Sequence, residues 1–263
     1  MTRDPHHGKP PAGEPVTVMT FNIANDLVRP NDLVDALRGS GADLIGLQEV
    51  SARQADALRE GLADIYPHVA VHGAGIPGKA VVSRHPLLEA APLEIVKHRP
   101  DLRAVVQTPS GPLVTVVAHP EPPRFGRGAP LTNQLTHTQI IALAEALADA
   151  GPAVLLGDLN RAGWAAALRV LRAAGLEDAW TAGGQGRGFT LPARWANAAH
   201  RSHPLGRLRL PPVARVDYVL HTPHLKTERA WLGSSAGSDH VPVLARLAPK
   251  HHLPAETNDE GRE

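Results

Sequence analysis

The chain has no cysteine in its 263 residues, which excludes disulfides and thiolate metal sites. Aromatic side chains are scarce: three Phe, two Tyr and four Trp. Proteins that hold single-stranded nucleic acid stack bases on such rings, at ~1–3 kcal/mol each, so an extended nucleic-acid groove is disfavoured. Charge of one sign is missing too. The net charge is +1 with neutral His, and no global field advertises a polyanionic partner. No apolar run approaches the ~18 residues of a transmembrane helix, so stable membrane insertion is not expected. Residues 1–15 carry charges, His and Pro where a signal peptide needs an apolar stretch. A cytoplasmic location is the expectation.

What remains is ample apolar content, 43% of the chain, at a length that suits one α/β sandwich. Residues 1–15 and 248–263 read as disordered tails around a domain spanning 16–247. Strand-like runs lie at 16–23, 43–50, 79–83, 102–108, 113–118, 153–156, 216–220, 226–232 and 241–247. Helices are expected at 32–37, with Asn31 as N-cap after Pro30, at 52–63, at 132–148 as an amphipathic helix, and near 165–174. Several strands in direct succession, with helices interspersed, predict two packed sheets with helices outside. Residues 183–216 lose periodicity, and a loop of that length is functional or mobile more often than idle.

Polar residues at strand ends carry the chemistry. Asn22 ends one strand in Thr20-Phe21-Asn22-Ile23, a position that an ordinary turn former also fills. Glu49 follows Leu44-Ile45-Gly46-Leu47-Gln48. A carboxylate there needs a partner or a metal, unless it caps the next helix. Asn and Glu oxygens suit a hard cation such as Mg²⁺. His119 ends Val116-Val117-Ala118, where a structural histidine would also sit. Asp158 and Asn160 flank Leu159, so an extended chain turns both to one side; a Gly-Asp-x-Asn reverse turn is the simpler alternative. Asp217 lies inside an otherwise apolar strand, and such an acid often orients a histidine. His240 is the candidate, with Asp239 beside it as a further metal ligand or base.

In series these motifs resemble the endonuclease/exonuclease/phosphatase superfamily. Thr-Phe-Asn-Ile, Leu-Gln-Glu-Val, Val-Val-Ser-Arg-His-Pro-Leu (81–87), Val-Val-Ala-His, Gly-Asp-Leu-Asn, Phe-Thr-Leu-Pro (189–192), Arg-Val-Asp-Tyr and Ser-Asp-His-Val-Pro carry the resemblance. It implies a four-layered α/β sandwich of two mixed β-sheets flanked by helices, with the site at one edge of both sheets. It also implies a Mg²⁺-dependent phosphoester hydrolase, with Mn²⁺ and Ca²⁺ as alternative ions. Asn22 and Glu49 are then the metal-side pair, with Asp239 a further ligand. Asp158 positions or activates water, and Asn160 donates to a phosphate oxygen. His119 and His240 stabilise the transition state and supply acid or base, with Asp217 behind His240. The chain reads Ala-His-Pro at 118–120 where many relatives have Thr-His-Leu. It also lacks the Tyr-Ala-Pro-Asn stretch of abasic-site endonucleases and the longer signature of inositol 5-phosphatases.

The substrate side rests on residues 183–216, which hold Arg187, Arg194, Arg201, Arg207, Arg209 and Arg215 and no acid. Arg201, Arg207 and Arg209 are the expected grip on an anionic phosphoester, as part of a lid or rim. The basic residues of the whole chain are 22 Arg against five Lys, so compositional bias explains the cluster equally well. A small or lipid-like phosphoester is the leading substrate, nucleic acid the alternative, and a catalytically silent scaffold the third reading.

Overall fold

The computed structural model describes residues 13–97, 99–122, 134–161, 166–193 and 211–250. Arg201, Arg207 and Arg209 lie outside them. The described strands form two six-stranded sheets. The first is ordered β11 (Leu225–Leu232), β12 (Val243–Pro249), β1 (Val16–Asn22), β2 (Leu44–Gln48), β4 (Lys79–Ser83), β3 (His68–His72). The second is ordered β5 (Leu87–Leu93), β6 (Asp101–Thr108), β7 (Gly111–Ala118), β8 (Ala153–Asp158), β10 (Asp217–His221), β9 (Glu177–Asp178). Each sheet is mixed, with one parallel pair at its middle: β1 with β2, and β7 with β8.

Alternation of side chains along the central strands generates the layers. From β1, Val16 and Val18 face the other sheet while Met19 and Phe21 face outward to helices. From β8, Val154 and Leu156 face inward while Ala153 and Leu155 face outward. The inter-sheet core joins Val18, Leu44, Val81, Val117, Leu156 and Val243. Outside the first sheet, α1 (Pro30–Arg38) and α2 (Ala52–Gly61) bury Leu33, Leu37 and Leu58. Outside the second, α3 (Gln134–Ala148) and α4 (Ala166–Ala173) bury Ile140, Leu143, Leu147, Leu168 and Leu171. The result is the four-layered sandwich, helix–sheet–sheet–helix. A fifth helix, α5 (Ala179–Gly183), follows β9.

Local chemistry accounts for the boundaries. Helix α1 starts at Pro30, with Arg29 as its N-cap and Asn31 already inside the helix. Proline at the first helical position loses no hydrogen bond and presets φ, which moves the cap one residue before the proline. Helix α2 starts on a full capping box between Ser51 and Gln54, so Glu49 is not its cap. Strands β3, β5 and β9 were not expected. All three are edge strands, and β3 and β5 are only partly buried, so neither carries the apolar run of a central strand. At the C-terminal side β12 continues to Pro249, with Ala248 buried and Lys250 paired to Glu177.

Gly46 faces the second sheet at close range. A Cβ there would lie 2.9 Å from both Leu156 and Val117, so any larger residue would push the sheets apart.

Candidate active site

The inward face of each central strand turns from apolar to polar at the same end. In β1 the inward series is Val16, Val18, Thr20, Asn22; in β8 it is Val154, Leu156, Asp158. From β7 it is Val117 and then His119, and from β10 it is Asp217 before Val219. Register aligns these ends, with Asp217 opposite Asp158 and Gly157 opposite Ala118. Asp158, His119 and Asp217 each lie one inward step beyond an inward apolar residue, and Asn22 one step beyond Thr20. Two packed sheets thereby line one cleft edge with buried polar groups.

Those groups are in contact. Asn22 Nδ2 donates to Asp158 Oδ2 at 3.0 Å and to Glu49 Oε1 at 3.2 Å. Asn22 Oδ1 accepts from the Ala24 amide. The other Asp158 oxygen accepts from the Asn160 amide at 2.9 Å. His119 Nε2 is 3.5 Å from Asp158 Oδ2 and 3.7 Å from Glu49 Oε1. His240 Nε2 is 3.6 Å from the same Asp158 oxygen, and His240 Nδ1 is 2.9 Å from Asp217 Oδ2. Two of these residues have left-handed backbones, Glu49 at φ 57° and Asn160 at φ 51°. Non-glycine residues hold that conformation only where the surroundings over-determine it.

The supports are equally specific. Ser238 Oγ donates to the Asn22 carbonyl at 2.7 Å and accepts the His240 amide at 3.0 Å. It thereby ties the end of β1 to the turn that carries His240. Thr190 Oγ1 accepts the amides of Val216 and Asp217. Gly78 lets the 73–78 turn lie on the Val50 carbonyl, with no room for a Cβ.

Electrostatics differ residue by residue. Burial raises the Asp158 carboxyl, and the Asp217 charge adds to this, against His240 and Asn22. Burial also raises Glu49, partly offset by Asn22 and His240. Burial holds His119 well below the usual histidine range, reinforced by Arg99 and Lys79. For His240 burial pulls the same way, but the Asp217 and Asp158 carboxylates outweigh it and raise the imidazolium. The ligand atoms of Asp158, Asp217 and His240 lie within 4.8 Å of one another.

Asn22, Glu49, His119, Asp158, Asn160, Asp217 and His240 therefore form one contact cluster at the sheet edge, and the charge of Asp239 acts on Glu49 and His240. Asn160 spends one amide hydrogen on the Pro120 carbonyl at 2.9 Å, which pins the segment after His119. Asp239 is half-buried; its Oδ1 is fully buried with no hydrogen-bond partner among the described residues. Arg215, which closes the same Arg-rich segment, pairs with both oxygens of Asp178 at 2.9 and 2.7 Å and stacks on Tyr218. Its charge is spent on holding the fold.

A group behind His119 was not among the expected site residues. Arg99 Nη2 lies 3.1 Å from His119 Nδ1. Asp101 accepts the His119 amide and the Gln139 side chain. The fully buried Lys79 lies 3.7 Å from Asp101 and donates to the Pro100 carbonyl. A buried lysine inside an apolar strand was the visible clue, in Lys79-Ala80-Val81-Val82. Arg99 sits in an aperiodic loop and had none.

Residues 19–240 match the model of the endonuclease/exonuclease/phosphatase family. The chain belongs to that family. It is a family of phosphoester hydrolases, and the sheet-edge cluster falls within the matched span. Similar solved structures include an endonuclease/exonuclease/phosphatase from Beutenbergia cavernae, 24% identical over 90% of this chain and 72% of that one, TM-score 0.66. A mannosyl-6-phosphatase from Bacteroides thetaiotaomicron is 15% identical over 88% and 99%, TM-score 0.66. D. rerio TDP2 complexed with a single-strand DNA product is 16% identical over 89% and 98%, TM-score 0.67. No curated protein matches the sequence. At these identities the solved structures establish the fold.

Proposed function

We propose that the protein is a Mg²⁺-dependent phosphoester hydrolase that directs water in line at phosphorus, on a small or lipid-like phosphoester. The observation that carries this is the convergence of Asn22, His119 and His240 on one buried oxygen, Asp158 Oδ2. Asp158 is the base that takes the water proton. Its burial shifts it toward neutral pH, where a general base works best. His240, charged and backed by Asp217, presents Nε2 to the developing negative charge on the phosphoryl group. The side-chain amide of Asn160, with one N–H on the Pro120 carbonyl, offers its second N–H at the same edge.

The residues present suit a hard cation. Glu49 offers a carboxylate, Asn22 Oδ1 keeps a second lone pair, and Asp239 Oδ1 is a buried acceptor with no donor among the described residues. A buried carboxylate oxygen of that kind needs a positive partner, and an all-oxygen set is the preference of Mg²⁺ over softer metals. Bound there, the ion would neutralise charge developing on phosphoryl oxygens. The Asp158–Asp217–His240 group suits it less, because His240 Nδ1 is already engaged by Asp217.

Nuclease activity is the second reading, supported by the Arg-rich 183–216 segment and by the DNA-bound relative. Near-neutral charge and nine aromatics weigh against it. A silent scaffold would have no use for a cleft of costly buried charges. The deciding experiment measures hydrolysis of bis-p-nitrophenyl phosphate and of plasmid DNA, with Mg²⁺ or EDTA, for wild type and Asp158→Ala. The expected result is Mg²⁺-dependent turnover of the small ester, lost in the variant. Efficient DNA nicking, with binding that weakens steeply with salt, would promote the nuclease. Silence on every phosphoester with no Mg²⁺ binding would leave the scaffold.

A further inference from the structure

His119 meets a cation on the nitrogen opposite the cleft. Arg99 uses Nη2 at 3.1 Å from His119 Nδ1 and Nε to donate to the His119 carbonyl at 2.9 Å. A guanidinium has only donors and keeps its charge, so the Nδ1 that faces it accepts. A neutral imidazole then carries its one proton on Nε2, the nitrogen that faces Asp158 and Glu49. The Ile76 carbonyl also faces this ring and favours a ring proton, while Lys79 and His240 add positive charge nearby.

Arg99 is held firmly enough to dictate this. Lys79 Nζ donates to the Pro100 carbonyl at 2.8 Å, and Asp101, next along, receives the His119 amide at 3.1 Å and Gln139 at 2.9 Å. Lys79 belongs to β4 of one sheet and Asp101 to β6 of the other. Residues 99–101 thus form a strap, tied to both sheets, that grips His119 by side chain, carbonyl and amide.

The geometry points to Arg99 as a positioning residue that fixes the tautomer of His119. His119 then serves as a neutral hydrogen-bond donor to a phosphoryl oxygen, and proton transfer falls to Asp158 and His240. What the donor is for rests on the phosphoester reading; where the proton sits does not.

The test reads the proton directly. Long-range ¹H–¹⁵N spectra of the full chain labelled at histidine, assigned with His119→Gln, are recorded without metal for wild type, Arg99→Lys and Arg99→Leu. The expected result is Nε2–H in wild type and Arg99→Lys, and a shift toward Nδ1–H in Arg99→Leu. A wild-type proton on Nδ1, or an Arg99→Leu spectrum like wild type, overturns the assignment. Should Arg99→Leu fail to fold, wild type and the lysine variant still decide. On bis-p-nitrophenyl phosphate with Mg²⁺, Arg99→Leu should lower kcat on the order of tenfold with KM nearly unchanged. That is less than the ~10²–10³ lost when a transition-state donor is removed outright. A raised KM with intact kcat would make Arg99 a substrate-binding group instead and overturn the positioning role. An inactive wild type would sink the phosphoester reading and leave the tautomer result standing.

Discussion

His119 and His240 reach the same carboxylate oxygen, Asp158 Oδ2, at 3.5 and 3.6 Å. One follows β7 in the second sheet, and the other precedes β12 in the first. Both are buried, and burial alone would leave both neutral. What stands behind each ring separates them. Asp217 backs His240 and sustains its positive charge; Arg99 backs His119 and opposes one. Two identical side chains at one oxygen are thereby set to different tasks by their rear partners. A pair of groups whose environments push them apart is how a single site holds both a charged and an uncharged donor.

The strongest way to break this contrast is to remove each ring. His240→Ala should cost ~10²–10⁴ in kcat on a Mg²⁺-supported phosphoester assay, the range for a lost acid–base group. His119→Ala should cost less, ~10²–10³, as for a lost neutral donor. Equal losses, or a larger one at His119, would end the division of labour. Asp217→Asn comes next. It keeps the shape but withdraws the charge that supports the imidazolium, and kcat should fall about 10²-fold. A variant with wild-type kcat would show that His240 does not need its cation.

Arg215 sharpens the comparison from the other side, as a charge pair with no open face. Arg215→Met leaves Asp178 buried without its bidentate partner, at a cost of about 3 kcal/mol in denaturant unfolding. Turnover per folded molecule should stay within a few-fold. A loss of activity larger than the loss of stability would put Arg215 on the substrate side.

These distinctions were only partly legible in the sequence. The central strands announce themselves because both faces are buried, which writes a mostly apolar run into 44–48 and a continuous one into 153–156. The cluster is legible for a related reason: an acid, amide or histidine placed directly after such a run contradicts the pattern, as at Glu49, Asp158 and His119. Edge strands β3 and β5 were hidden because half their surface meets solvent. Rear partners were hidden because they act through space. Arg99 is 20 residues from His119 in the chain, and nothing local marks it. Arg215 shows the opposite case: it lies two residues before Asp217 in sequence, yet its charge is turned to Asp178.

A third buried histidine offers the finest test. His221 has Nδ1 2.9 Å from the Thr222 carbonyl and Nε2 2.8 Å from Thr227 Oγ1. A neutral ring satisfies both contacts, donating from Nδ1 and accepting at Nε2. Burial lowers its proton affinity, with the Thr222 carbonyl and Glu177 opposing and Lys250 assisting. Between the unfolded histidine value near ~6.5 and the lower folded one, the unfolded chain binds more protons. Stability therefore falls as pH drops through that window. His221→Gln should flatten the slope by at most about 1.4 kcal/mol per pH unit, measured by urea unfolding in EDTA from pH 5 to 8. His119 is shifted the same way, while the raised Asp158 and Glu49 carboxyls act with the opposite sign over this range, so His221 is read from the difference between the variant and wild type. His240 contributes with the opposite sign: its stabilisation is complete below the unfolded value and is lost only as pH rises through its raised folded one. An unchanged slope in His221→Gln would mean that His221 takes up its proton in the folded state, and that burial with two neutral partners does not suffice to keep a histidine of this protein uncharged.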